Sequence, residues 1–378
     1  VSNGQLPIRR IEIKHDDFAE LQKDAWTQTF VPVRLEVDGK PYEAKIAYRG
    51  GHTLNYSKKS YEIRFEEGLV LHWNAEYDDP SMIRNALSFH FFNEIGVSAP
   101  RTRPILLEWN GEPHGVYLEI EAVNSRFFNK RGLGCRSLIY AVNDNANFDL
   151  FESETKKRKS SLSEGYEIVI GESRAKQRIV SFVRNVNTLR GTKLSAYLKQ
   201  RLDTNQYLLW LAGAVLTGNY DGFEQNYALY EEKQAGKYRI LPWDYEGTWG
   251  RNCYGKQVSS DLVRINGYNR LTARLLSFTV WRKQYCALLR ELLDTHFTIE
   301  KLSPVIDRMH RRVSDAIRLD YTRNHSYQLF LSEPALIRNY IKERRATILR
   351  DLKLLENGKR KQTAGPSETT GSLLTVKI

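Results

Sequence analysis

Asn219-Tyr-Asp-Gly-Phe-Glu-Gln-Asn226 and, a little further on, Pro242-Trp-Asp-Tyr-Glu246 are the two stretches that decide how this chain folds. Ahead of the first, Asp203 and Gln206 have the spacing of a capping box. They open an apolar helical run through Leu208, Leu211, Ala212, Val215 and Leu216 that stops at Gly218. Between the two stretches, Tyr227 to Tyr230 and Tyr238 to Leu241 read as short strands around Ala235-Gly236, the second ended by Pro242. The first stretch is therefore a loop between a helix and a hairpin, and the second lies where that hairpin ends. Asp, Gly and Asn are common turn formers, so the spacing of Asp221 and Asn226 says little by itself. Its weight comes from the ordered set of helix, loop, hairpin and second aspartate, Asp244.

Working outward, Asp17 to Trp26 predicts a short leading helix capped at Asp16 or Asp17. Val33 to Val37 and Tyr42 to Tyr48 alternate about Asp38-Gly39 as a hairpin, and Lys59 to Phe65 reads as a third strand. Pro80 suits the first position of a helix carrying Met82, Ile83, Leu87, Phe91 and Ile95 as far as Gly96. Ile105 to Trp109 and Val116 to Ile120 flank Asn110-Gly111 as another hairpin, with a slightly longer loop. The expected order is strand, strand, strand, helix, strand, strand. Residues 151–165 are polar and basic and read as an exposed loop, and helical patterns return from Leu271 to Leu355. No internal repeat is visible.

A chain of 378 residues exceeds what one core usually serves. The elements divide it into a β-rich region over 1–123, a mainly helical region over 124–356 and a disordered tail over 357–378. The apolar share of 41% with 27% charged residues is that of a globular protein able to bury a sizeable core. The most apolar run, Leu208 to Leu216, is about half a membrane span, so no membrane crossing is expected. Because the numbering opens at Val1, a missing leader carries no message about compartment. Cys135, Cys253 and Cys286 form neither a disulfide framework nor a C-x-x-C pair, which favours a reducing compartment. A net charge of +12 points to an anionic partner. The basic residues are nevertheless spread, apart from short runs at Lys156 to Lys159 and Lys359 to Lys361, and no helix-turn-helix, zinc-finger or RNA-binding signature accompanies them.

Asp221 and Asn226 have the D-x-x-x-x-N spacing of a protein-kinase catalytic loop, and Asp244 falls where a kinase puts its metal-binding aspartate. Phosphoryl transfer needs a carboxylate to orient the attacking hydroxyl and hard oxygen ligands to hold magnesium against the phosphates. The wider segments Asp221-Gly-Phe-x-x-Asn-Tyr-Ala-Leu-Tyr230 and Leu241-Pro-Trp-Asp-Tyr-Glu-Gly-Thr-Trp-Gly250 resemble the signature of the CotH spore-coat protein kinases. Tyr48-Arg-Gly-Gly-His-Thr53, Lys58-Lys-Ser-Tyr61, Asn74-Ala-Glu-Tyr77, Asp79-Pro-Ser81, Gly115-Val-Tyr-Leu118, Ile265-Asn-Gly-Tyr-Asn269 and Leu271-Thr-Ala-Arg-Leu275 are similar to that family in the same order. The likeness runs from about residue 8 to residue 350. It implies an α+β, atypical protein-kinase-like fold of two lobes, the N-terminal one β-rich and the C-terminal one mainly helical. It further implies ATP with Mg2+, or Mn2+ in its place, as cofactors and serine-rich basic spore coat proteins as substrates, with residence in the cytoplasm of the sporulating cell and in the spore coat. By position, Asp221 resembles the family's catalytic aspartate and Asp244 its metal ligand, while Asn226 follows from kinase spacing as second ligand. Gln225 stands where relatives often have His, and Glu246 where they often have Asp. Two other readings compete: a non-catalytic kinase-like coat-assembly protein, and a nucleic-acid binder drawn from charge alone.

A kinase also needs a cation on the phosphates. In the strand period Lys59 shares a face with Tyr61, Ile63 and Phe65, which predicts Lys59 pointing inward to the phosphates and Lys58 outward. The helix after Pro80 has no glutamate before Glu94, so Glu76 is the candidate partner of Lys59. Arg49-Gly-Gly-His-Thr53 offers glycines for close backbone approach and Arg49, His52 and Thr53 as donors to phosphate. The strand end Glu119 to Glu121 is a candidate for adenine, with Glu121 at its tip. Gly250 to Gln257 nearly spells a P-loop, but Gln257 replaces the required Ser or Thr. The eight histidines show no H-E-x-x-H zinc spacing.

Overall fold

The computed structural model describes residues 5–356, so the tail expected over 357–378 lies outside the described residues. The first elements are β1 (Ile8–Glu12), α1 (His15–Lys23), β2 (Val31–Val37), β3 (Lys40–Arg49), β4 (Ser60–Phe65), β5 (Val70–Asn74), α2 (Arg84–Glu94), β6 (Thr102–Trp109) and β7 (Glu112–Glu121). Their strands close into a barrel in the order β1-β2-β3-β4-β5-β7-β6, sealed by parallel pairing of β1 with β6. Ile11, Val33, Leu35, Ile46, Ile63, Trp73, Ile105 and Tyr117 fill it. Asp38-Gly39 and Asn110-Gly111 all have positive φ, as tight hairpins require. The extra residue expected in the second turn appears instead as a register shift between Leu107 and Glu108.

The expected order missed β1 and β5. In β1, Arg9 occupies a core-facing position and is buried, held by Asp38 at 2.9 Å and Glu119 at 2.9 Å, so the strand lacks an apolar alternation. Helix α1 starts at His15 behind Lys14, without a side-chain cap, rather than at Asp16 or Asp17. Helix α2 starts at Arg84 rather than Pro80. The Asp79 carboxylate takes the backbone N–H groups of Ser81 and Arg84, both at 2.9 Å, and Met82 is left-handed at φ 59°, so residues 79–83 form a turn.

After the barrel come α3 (Ser125–Lys130), β8 (Cys135–Ala141), β9 (Tyr166–Ile170), α4 (Glu172–Thr188), α5 (Gly191–Arg201), α6 (Thr204–Thr217), β10 (Tyr227–Glu232), β11 (Tyr238–Pro242), α7 (Arg270–Leu276), α8 (Thr279–Thr295), α9 (Ile299–Leu319) and α10 (Tyr327–Glu356). The hairpin β10–β11 extends through β8 to β9, giving a four-stranded sheet that a mainly helical expectation did not contain. The chain is thus an α+β protein, with two sheets among the described residues. The loop expected over 151–165 is irregular but not wholly exposed: Lys159 is buried and donates to Asn147 Oδ1 at 2.7 Å and Asp149 O at 3.0 Å.

Helix α2 carries Phe89, Phe91 and Phe92 into the large helical core rather than into the barrel. Gly213 on α6 makes room for it: a Cβ there would lie 2.3 Å from Phe92 Cε1. A buried chain of charges fixes the start of α2. Arg84 pairs with Asp79 at 2.6 Å and with Glu333 of α10 at 2.6 Å, donates from Nε to Thr248 O at 2.9 Å, and Glu333 also pairs with Arg251. Cutting one member strands the others in a low-dielectric interior. Glu333→Ala should therefore lower unfolding free energy by roughly 3–5 kcal/mol in urea titrations; a loss below about 1 kcal/mol would mean that water compensates the two arginines.

Candidate active site

The Asp203 carboxylate caps α6 by accepting the Gln206 N–H at 3.2 Å, while the Gln206 side chain joins both backbone groups of Ile240 in β11 instead of closing a capping box. Helix α6 ends at Gly218, and Asn219 turns the chain toward Asp221. Asn219 is buried and donates from Nδ2 to the Asp244 carbonyl at 3.3 Å. Asn226 N–H donates to Ala141 O at 3.1 Å, and its own carbonyl accepts from Trp243 N–H at 3.3 Å. The loop before the hairpin and the segment after it are therefore locked side by side.

Asp221, Asn226 and Asp244 meet on one cleft of about 210 Å3, and Arg49, His52 and Thr53 also line it. Both oxygens of Asp221 are held by amides: Gln225 Nε2 donates to Oδ1 at 2.9 Å and Asn226 Nδ2 to Oδ2 at 3.1 Å. This leaves the Asn226 amide oxygen for a cation. Asn226 (φ 57°) and Asp244 (φ 56°) are both left-handed, an uncommon conformation for residues other than glycine and one that clusters at functional sites. Gly50, at φ 135°, lets the Arg49 to Thr53 turn tighten, since a Cβ would fall 2.2 Å from Thr53 Oγ1.

Acids crowd this part of the molecule. Burial, and then the charge of Asp221, raises the Asp244 carboxyl above the usual carboxylate range, against the lowering pull of Arg49 and His52. Burial and Asp244 push Glu246 up strongly, and burial with Asp79 does the same to Glu76. Arg49 stacks 5.1 Å from the Trp243 ring centroid and donates to Asn74 Oδ1 at 3.3 Å, with burial lowering its pKa. Burial also pushes the Cys253 thiol, on the cleft wall, up to about 12, so it is no thiolate nucleophile. Among the described residues no three His, Cys, Asp or Glu side chains are grouped as a self-sufficient metal site. One carboxylate and one amide oxygen nonetheless fit magnesium, which takes its remaining ligands from phosphate and water.

Two expected residues lie elsewhere. Strand β4 begins at Ser60, so Lys58 and Lys59 precede the pleat and its alternation does not reach them. Lys59 is half-buried, donates to the Leu54 carbonyl and does not line the cleft. Lys58 is the buried one, with Nζ 3.0 Å from Asp320 Oδ2, 2.8 Å from Val116 O and 4.7 Å from the Tyr117 ring centroid. Lys58→Ala strands Asp320, and a loss of about 3 kcal/mol or more in urea unfolding is expected, against at most about 0.5 kcal/mol for Lys59→Ala; equal effects would contradict this geometry. Glu76 is not paired with Lys59 but accepts from Asn85 Nδ2 at 3.1 Å. Glu121 is engaged by Arg131 at 2.7 Å, and its N–H donates to Arg101 O at 2.9 Å, away from the cleft lining. The sequence assigns no role to Asn219, Asn74 or Asn85, because an asparagine drawn into a site has no sequence signature separating it from a turn residue.

Residues 46–348 match the family model described as CotH kinase protein, and the chain belongs to the CotH family. It is 38% identical over 349 residues to the inner spore coat protein H of Bacillus subtilis (strain 168), a match covering 91% of this chain and 96% of the relative. An inner spore coat protein H-like protein of the same organism is 29% identical over 292 residues, covering 76% and 83%. A crystal structure of the Helicobacter pylori proinflammatory kinase CtkA covers 79% of this chain and 93% of its own at 10% identity, with a TM-score of 0.33, too low to establish a shared fold. No helix among the described residues is long and apolar enough to cross a membrane.

Proposed function

We propose that this chain is a two-lobed, kinase-like enzyme that moves the terminal phosphoryl group of ATP, bound with Mg2+, onto serine side chains of basic spore coat proteins. The observation that carries the reading is the meeting of Asp221, Asn226 and Asp244 on one cleft with Arg49. Membership of the CotH kinase family and 38% identity to a spore coat protein support it. Residence in the sporulating cell and then in the coat follows from the same kinship.

In this reading Asp221, clamped by Gln225 and Asn226, orients the acceptor hydroxyl and takes its proton as the new O–P bond forms and the bond from the terminal phosphorus to the bridging oxygen breaks, releasing ADP. Asp244 and the Asn226 amide oxygen would hold magnesium, which when bound would offset phosphate charge. Arg49 and the donors of the His52–Thr53 turn engage the phosphate oxygens, a role the lysine-based reading gave to Lys59. Arg49→Ala should weaken ATP binding about 10-fold or more, the worth of a charged hydrogen bond, whereas Lys59→Ala should change it little. Calorimetry with a nonhydrolysable ATP analogue checks this, and greater sensitivity at Lys59 would restore the lysine. The function itself is tested by incubation with labelled ATP, Mg2+ and a serine-rich basic polypeptide. Label on serine supports the kinase. Polypeptide binding with no label would favour the non-catalytic assembly protein.

A further inference from the structure

Behind Asp244 the fold buries a carboxylate that neither the catalytic aspartate nor the ordinary kinase ligand set accounts for. Glu76 is 2% exposed and left-handed at φ 46°. Its Oε1 accepts from Asn85 Nδ2 at 3.1 Å, and Asn85 Oδ1 accepts from Tyr245 N–H at 3.1 Å, so one amide ties Glu76 to the backbone between Asp244 and Glu246. Its Oε2 is buried without a hydrogen-bond partner among the described residues. The groups acting on Glu76 are amides and further acids, Asp79 and Asp244, and the Asp79 charge is already committed to Arg84. Glu246 lines the same cleft, two residues after Asp244. Ionising a carboxylate buried with an unpartnered oxygen is costly, and a cation brought from outside is one way to offset that cost.

We propose that Glu76 and Glu246 belong to the divalent-cation site of this cleft, setting its affinity from beside and behind Asp244, so that the site draws on three carboxylates rather than one. This rests on the reading of Asp244 as a metal ligand. Because among the described residues no three acids are grouped closely enough to hold a metal ion by themselves, Glu76 acts as an outer-sphere group, the kind of partner that tunes a metal site through its field and the cation's bound waters. Magnesium, which keeps several waters, suits such an arrangement.

The test is calorimetric titration of Mg2+ into the protein saturated with a nonhydrolysable ATP analogue, with thermal melting in the presence and absence of Mg2+. Glu76→Gln keeps the oxygen that Asn85 holds and removes only the charge. It should weaken Mg2+ by about 10-fold or more, the usual cost of losing an outer-shell partner. It should also melt no lower than wild type without Mg2+ and gain less on adding it. Glu246→Gln should behave alike, which guards against a folding defect in either variant. Wild-type Mg2+ affinity in both variants would overturn the inference while leaving Asp244 in place. A drop in melting temperature equal with and without Mg2+, at unchanged affinity, would make Glu76 structural and overturn it too. Failure of the wild-type protein to bind Mg2+ would remove both this inference and the reading of Asp244.

Discussion

Asp221→Ala is expected to bind ATP and Mg2+ at close to wild-type affinity while turnover falls by roughly 10²-fold or more, the range for a positioned acid or base. Asp221 is held by two side-chain amides and leaves the Asn226 amide oxygen free, so its removal takes no ligand from the cation. It takes away the group that aligns the attacking hydroxyl and accepts its proton. Stability should change little. Asp221 lies outside the apolar core, and its charge is one of the causes that raise the Asp244 carboxyl, so its loss relieves a repulsion. The measurement pairs calorimetric nucleotide binding with single-turnover transfer to a serine-rich substrate. Lost binding with unchanged chemistry at saturation would make Asp221 a metal ligand, and full activity would take it out of the site.

Asp244→Asn should abolish transfer through the cation instead. A neutral amide is a poorer ligand for a hard divalent ion, and phosphate charge is left uncompensated. The substitution is nearly isosteric, and the backbone interactions that hold this position, Asn219 Nδ2 on the Asp244 carbonyl and Asn85 on the next N–H, do not involve the carboxylate. The fold should survive, then, and the defect should appear as lost Mg2+ binding in the presence of nucleotide. Activity equal to wild type at millimolar Mg2+ would sink the assignment.

Much of the cleft was legible because its key residues flank one hairpin. Tyr227 pairs with Pro242, so whatever precedes the first must sit beside whatever follows the second, and Asn226 and Asp244 are such residues. Local pattern also sufficed for the Asp38-Gly39 turn, for α6 and for the Arg49 to Thr53 loop between β3 and β4. It failed where a polar side chain took a core position, as at Arg9 in β1, and where an acidic residue mimicked a helix start, as at Asp79.

Sequence by itself determined the family, the α+β class and the neighbourhood of Asp221, Asn226 and Asp244, since each of these is written in contiguous motifs or short-range pairing. Only the tertiary structure decided which of two adjacent lysines is buried, that Arg49 rather than Lys59 lines the cleft, and that Asn85 ties Glu76 to the backbone next to Asp244. Lys58 meets Asp320 across 262 positions of chain, and Asn85 meets Tyr245 across 160. Such choices are made by which charges can find partners once the barrel and the helical core come together, because an unpaired charge costs little in an open chain and several kcal/mol, in order of magnitude, in the interior.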